Sequence, residues 1–168
     1  MKRILSMVVV LAMVMAFAGC SIENSSTVES REEQLNAVMK KYNETQWTIT
    51  KEIVVEDYII SGAVNTNGNT TLAVFKPDGD GSYQFSTTTN RNQDEIIISG
   101  YQINGTWFDF IWFGGTQTEY AEVTYLVNGK SETETYDTSD MEIISIPNQE
   151  KEYTIQVSYF DSEGNEYN

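Results

Sequence analysis

The sequence predicts a mainly β protein, an antiparallel β-sandwich with one N-terminal helix packed on a sheet. Three observations lead there. From residue 46 onward the apolar pattern changes from period 3.6 to period 2, which is the period of a strand with one buried face. The pairs Asn67-Gly68, Asn104-Gly105 and Asn128-Gly129 punctuate that stretch and suit tight hairpin turns. After residue 26, only Thr27 to Tyr42 spaces its apolar residues for a helical face.

The chain starts elsewhere. Residues 1–19 join a basic start, Lys2 and Arg3, to an apolar run from Ile4 to Phe17 and then to Ala18 and Gly19, directly before Cys20. This is the three-part layout of an export signal. The A-G-C end resembles the lipobox of bacterial lipoproteins, although Phe17 stands where leucine is commonest. That resemblance implies that Cys20 receives a diacylglyceryl group and becomes the new N-terminus after cleavage. The apolar run is shorter than the roughly 20 residues a spanning helix needs. Residues 20–26 then read as the lipidated cysteine and a tether. The expected location is the extracytoplasmic face of the cell membrane, held by lipid.

Charge narrows the partners. The chain has 10 Lys+Arg against 25 Asp+Glu, and Lys2 and Arg3 lie in the signal, so the 149 residues from Cys20 onward carry 8 against 25, a net −17. Such a field repels phosphate backbones and excludes nucleic acid as a partner. It also opposes docking on anionic lipid, which leaves the acyl group to hold the membrane. With Cys20 the sole cysteine, no internal disulfide can form. There is no histidine, so the usual general base of hydrolases is missing. No cofactor signature stands out.

The elements follow in order. Thr27 to Tyr42 places Val28, Leu35, Val38, Met39 and Tyr42 on one side, with Glu29, Glu32 and Glu33 early and Lys40 and Lys41 late, which complements the helix dipole. Ser26 or Thr27 can cap it and Asn43 can end it. A first strand follows, with Trp47, Ile49, Ile53 and Val55 on one face, interrupted by Lys51. Hairpins are expected at 58–76, 95–113 and 120–136, with a strand at 82–88 and closing strands at 141–146 and 153–160. The segment Trp107 to Phe113 is aromatic on both faces, so a strand there should be covered on both sides. The helix is expected to cover one of them.

Candidate sites are few. Trp107, Trp112 and Tyr101 offer a stacking platform for a sugar or peptide, although aromatics so dense on one strand are usually core. Asp78 and Asp80 in PDGDGS, and Asp161 and Glu163 near the end, resemble calcium-loop positions. Both loops lack the sixth-position glycine, and tight turns use the same residues. No catalytic residue stands out.

The Trp107–Gly115 strand, the V-x-Y-L-V-N-G-K hairpin at 123–130 and the Y-x-I-x-V-x-Y-F-D-x-x-G-N closing stretch at 153–165 resemble small, uncharacterised lipoproteins of Firmicute-type bacteria. The closing stretch also resembles the last hairpin of immunoglobulin-like bacterial surface domains. Neither resemblance brings catalytic residues. The domain order is a signal at 1–19, tether at 20–26, helix at 27–43 and β domain at 46–168. The expected function is a non-catalytic binding module of the cell envelope whose partner is a protein, peptide or glycan. The alternatives are a small envelope enzyme using a carboxylate pair on polysaccharide, and a structural spacer or inhibitor.

Overall fold

A computed structural model describes residues 27–42, 46–89, 96–114, 118–127, 129–148 and 153–166. The signal, Cys20 and the tether lie outside these described residues. Helix α1, Val28–Met39, begins at Thr27, whose hydroxyl accepts from the Ser30 amide at 3.2 Å. It ends in a short 3-10 turn, Lys40–Tyr42. Its buried stripe is Arg31, Leu35 and Met39, four residues apart. Val28 and Tyr42, expected on that face, stay exposed at the two ends; Arg31 extends the stripe instead.

Among the described residues ten strands follow, all paired antiparallel. The first sheet joins β1 (Trp47–Val55), β2 (Tyr58–Asn65), β3 (Thr70–Pro77) and β4 (Tyr83–Thr88) in that order. The second has the order β5-β6-β9, from Ile96–Ile103, Thr106–Phe113 and Ile143–Asn148. The third has the order β10-β7-β8, from Tyr153–Phe160, Tyr120–Val127 and Lys130–Asp137. The expected mainly β class, with antiparallel sheets and one helix on a sheet, is what the chain adopts. The first sheet is a meander of consecutive strands, unlike the A-B-E-D sheet of an immunoglobulin domain. Hairpin chemistry is direct at Asn104-Gly105, where φ is 49° and 88°, as a type I′ turn requires.

Three apolar clusters stack these elements into layers. Leu35 and Met39 of α1 pack on Trp47, Ile59, Ala63 and Phe75 of the first sheet. The opposite face of that sheet, Ile60, Leu72 and Val74, meets Phe108, Phe110 and Trp112 of β6. Beyond β6, Ile111 and Phe113 join Ala121, Val123 and Ile155 of the third sheet. The aromatic strand is thus covered on both faces, by two sheets. The expectation that the helix covers one of them is corrected: α1 lies on the far side of the first sheet. Each large apolar side chain buried this way contributes about 1.5–3 kcal/mol before entropy is counted.

A second correction concerns β1. The pairing with β2 steps from Ile49↔Ala63 to Lys51↔Gly62, leaving Thr50 as the extra residue of a bulge. One extra residue reverses which side chains face which way. Trp47 and Ile49 therefore point to the helix, while Val55 and Ile53 join the cluster between the sheets. The same reversal turns Glu52 toward α1, where the Arg31 guanidinium donates to it at 2.9 and 2.5 Å.

The helix also closes the first sheet's edges. Asn36 accepts from the Trp47 amide and donates to the Trp47 carbonyl, both at 2.8 Å, and Glu32 accepts from the Ile49 amide at 2.9 Å. On the far edge Gln34 donates to the Tyr83 carbonyl at 3.0 Å and accepts from the Phe85 amide at 2.8 Å. Backbone groups that a neighbouring strand would otherwise claim on β1 and β4 are taken by side chains of α1.

Candidate functional site

The stacking residues do not form a platform. Trp112 is fully buried between the first two sheets. Tyr101 packs against the same cluster, its hydroxyl 2.9 Å from that of Ser86 and its ring tilted against Tyr58. Trp107 is 44% exposed on the opposite face, as strand alternation demands of residues five apart. Its ring lies across Gly100, where an added Cβ would fall 2.2 Å from Cζ2. The indole donates to Asp109 at 3.2 Å, and the Tyr153 hydroxyl donates to the same oxygen at 2.9 Å. Trp107 therefore shields a glycine in a strand and satisfies a buried carboxylate.

Asp80 and Asp161, two of the four calcium candidates, spend their carboxylates on their own loops. Asp80 accepts from the Ser82 amide at 2.8 Å, and Asp78 donates its amide to the Ser82 carbonyl at 3.0 Å. Asp161 accepts from the amides of Glu163 and Asn165 and from the Asn165 side chain. Hydrogen bonds from the Ser82 side chain and then its amide hold the Asp80 carboxyl below the usual range, and those from the Asn165 side chain and then its amide do the same for Asp161. Among the described residues no cluster of three or more His, Cys, Asp or Glu is placed to hold a metal. The loops use these residues to build turns.

A concavity lies between the second and third sheets. It has a volume of about 430 Å3 and is bounded by β7, β8 and β9. Val123 and Tyr125 supply one apolar side and Ile146 and Pro147 the other. Strand β8 supplies the rim. Its residues 130, 132, 134 and 136 pair with 127, 125, 123 and 121 of β7, so Lys130, Glu132, Glu134 and Tyr136 share the face that holds Val123 and Tyr125. A face that is apolar on β7 becomes charged on β8. All of β8 except Tyr136 is exposed.

Two phenols mark the groove's electrostatics. Burial, helped by the negative charge of Asp109, pushes the Tyr125 phenol well above its ordinary value. Tyr136 is raised from 10.0 to about 12, first by burial and then by Glu134, to which its hydroxyl donates. A phenol raised in the fold stabilises the protein while neutral, so this contribution is complete below about pH 10 and is lost as pH rises through about 12. Glu134→Gln removes the nearby charge and leaves burial, so the Tyr136 titration should move partway back toward 10.0. Phenolate absorbance followed against pH, with Tyr136→Phe to assign the transition, checks this. An unmoved transition would mean that burial alone sets it.

Comparison with protein-family models, curated proteins and solved structures returned no match for this chain. The groove was missed in the sequence because a hairpin strand rich in polar residues reads as solvated. One signal was available. Lys130 to Asp137, K-S-E-T-E-T-Y-D, has no alternation of apolar and polar residues, so neither of its faces can be core. Its partner Tyr120 to Val127 does alternate. A charged strand hydrogen-bonded to a core strand marks a sheet edge that overhangs its neighbour.

Proposed function

We propose that the chain is a lipid-anchored, extracytoplasmic binding module of the cell envelope without a catalytic role. The observation that carries this reading is the N-terminal segment, basic then apolar then A-G-C, ending in the only cysteine of the chain. The net charge of −17 from Cys20 onward supports it, since a domain this acidic gains nothing from anionic lipid and needs the acyl chains to stay at a membrane. Among the described residues no helix is long and apolar enough to cross a membrane.

The groove supports binding over catalysis. A carboxylate-pair enzyme sets its two acids on either side of the scissile bond. Here Glu132 and Glu134 sit on one strand, and the wall across from them is Ile146 and Pro147. Side chains this apolar on one wall and charged on the other suit recognition of an amphipathic ligand. Pull-down from envelope extract, with the acylated chain and with Cys20→Ala, tests the reading. A protein or glycan enriched by both forms, membrane-associated only with the first, is the expected result; no enrichment by either would overturn it.

A further inference from the structure

We propose that the free edge of β8 takes up an extended cationic peptide, with Lys or Arg at every second residue, as an added strand. This deepens the binding-module reading and rests on it. Four features of the fold lead to it. First, β8 pairs only with β7 among the described residues, and it ends the sheet order β10-β7-β8. A strand so placed presents unpaired amides and carbonyls along its outer edge. Second, the first sheet treats its edges differently, since Asn36, Glu32 and Gln34 of α1 bind the backbones of β1 and β4. Among the described residues the helix makes no such bond to β8, so this outer edge keeps backbone groups that a ligand strand can take.

Third, the edge is next to a groove. An added strand would direct alternate side chains toward the face of Glu132 and Glu134, over Tyr125, Ile146 and Pro147. Lysine and arginine fit both surfaces, because the aliphatic stem can lie on apolar groups while the charged head reaches a carboxylate. Fourth, the charge is selective. Inward-pointing charges on an edge strand are also how sheets refuse unwanted pairing. Glu132 and Glu134 refuse acidic strands, and the surrounding chain of net −15 repels another copy of itself. Lys130 opposes them at one end of the groove only. The strand this edge admits is basic.

The test uses the full chain in neutral detergent and three synthetic peptides of equal length. One alternates Lys with Thr and Val, one replaces each Lys with Glu, and one keeps every Lys but carries a central Pro in place of a backbone donor. The Lys peptide should bind at least about tenfold more tightly than either other peptide, a difference of about 1.4 kcal/mol. Amide exchange should slow along β8 when it binds. The double variant Glu132→Lys, Glu134→Lys, whose positions are exposed, should reverse the preference and bind the Glu peptide; that gain shows the variant folded. Equal binding of the Pro peptide, binding with no protection of β8, an unreversed preference, or a concentration-dependent dimer through β8 would each overturn the proposal. An envelope partner captured without protection of β8 would sink this inference and leave the binding-module reading standing.

Discussion

Trp112→Ala should cost about 3–5 kcal/mol, the usual loss for a fully buried aromatic ring. Single domains hold only about 5–15 kcal/mol in total, so the variant should be largely unfolded at physiological temperature. The cause is local. The Trp112 ring is wedged against two glycines, and a Cβ added at Gly62 or Gly114 would fall 2.3 Å from its nearest atom. Gly62 lies on β2 and Trp112 on β6, so this contact sets how closely the first two sheets approach. Gly62→Ala alone should cost about 1–3 kcal/mol through overpacking. In the Trp112→Ala background the clash is gone, and the second change should cost far less. Denaturant melts of the four species give the coupling; costs that add to within about 0.5 kcal/mol would show that the two sites are independent. Among the described residues the indole nitrogen of Trp112 has no hydrogen-bond partner, so Trp112→Phe should lose packing but no polar contact.

Arg31→Ala should cost about 2–3 kcal/mol, below the 3–5 typical of a broken buried pair because Glu52 retains some water. The Arg31 side chain is 5% exposed and that of Glu52 19%. Without the guanidinium, the Glu52 carboxylate keeps only the Ser61 hydroxyl, at 2.6 Å, among the side-chain bonds assigned to it. The first consequence should be a loosened helix. Trp47 is fully buried under α1, so its fluorescence should shift toward that of a solvated indole before global unfolding. The pair Arg31→Met with Glu52→Leu should restore most of the stability, since an apolar pair of similar size avoids the desolvation cost. If Arg31→Ala melted with no early change in Trp47 fluorescence, the ion pair would not be what seats the helix.

The strands were legible because the sequence repeats one physical signal. Alternating apolar residues bounded by Asn-Gly pairs located the hairpins around residues 67, 104 and 128. What failed was the relation between elements. The bulge at Thr50 leaves no composition trace except Lys51 in an apolar row, and it reverses the two ends of β1. Density of aromatics in β6 correctly implied burial on both faces. It did not say what covers them, because a helix and a second sheet present equally apolar surfaces to a strand. Arg31 was missed as a buried residue for a related reason: charge predicts exposure unless a partner comes from far along the chain, and Glu52 turns toward it only through the bulge.

The groove was less legible than the fold. Glu132 and Glu134 are ordinary solvated acids in one dimension. They line a groove only because the fold brings β8 together with Tyr125 of β7 and Ile146 of β9. Among the aromatic candidates the mismatch runs in the opposite direction, since Trp112 is conspicuous in sequence and fully buried in the fold, with Tyr101 half-buried against the same cluster. Exposure follows from which strand faces which sheet, and that is decided by long-range packing.

The reading of this chain as an anchored envelope module stands on Cys20 and is tested most directly by metabolic labelling with a fatty acid. Cells producing the wild-type chain should incorporate the label into the protein, and Cys20→Ala should incorporate none. An unlabelled wild-type protein would contradict the account and leave a secreted, unanchored domain.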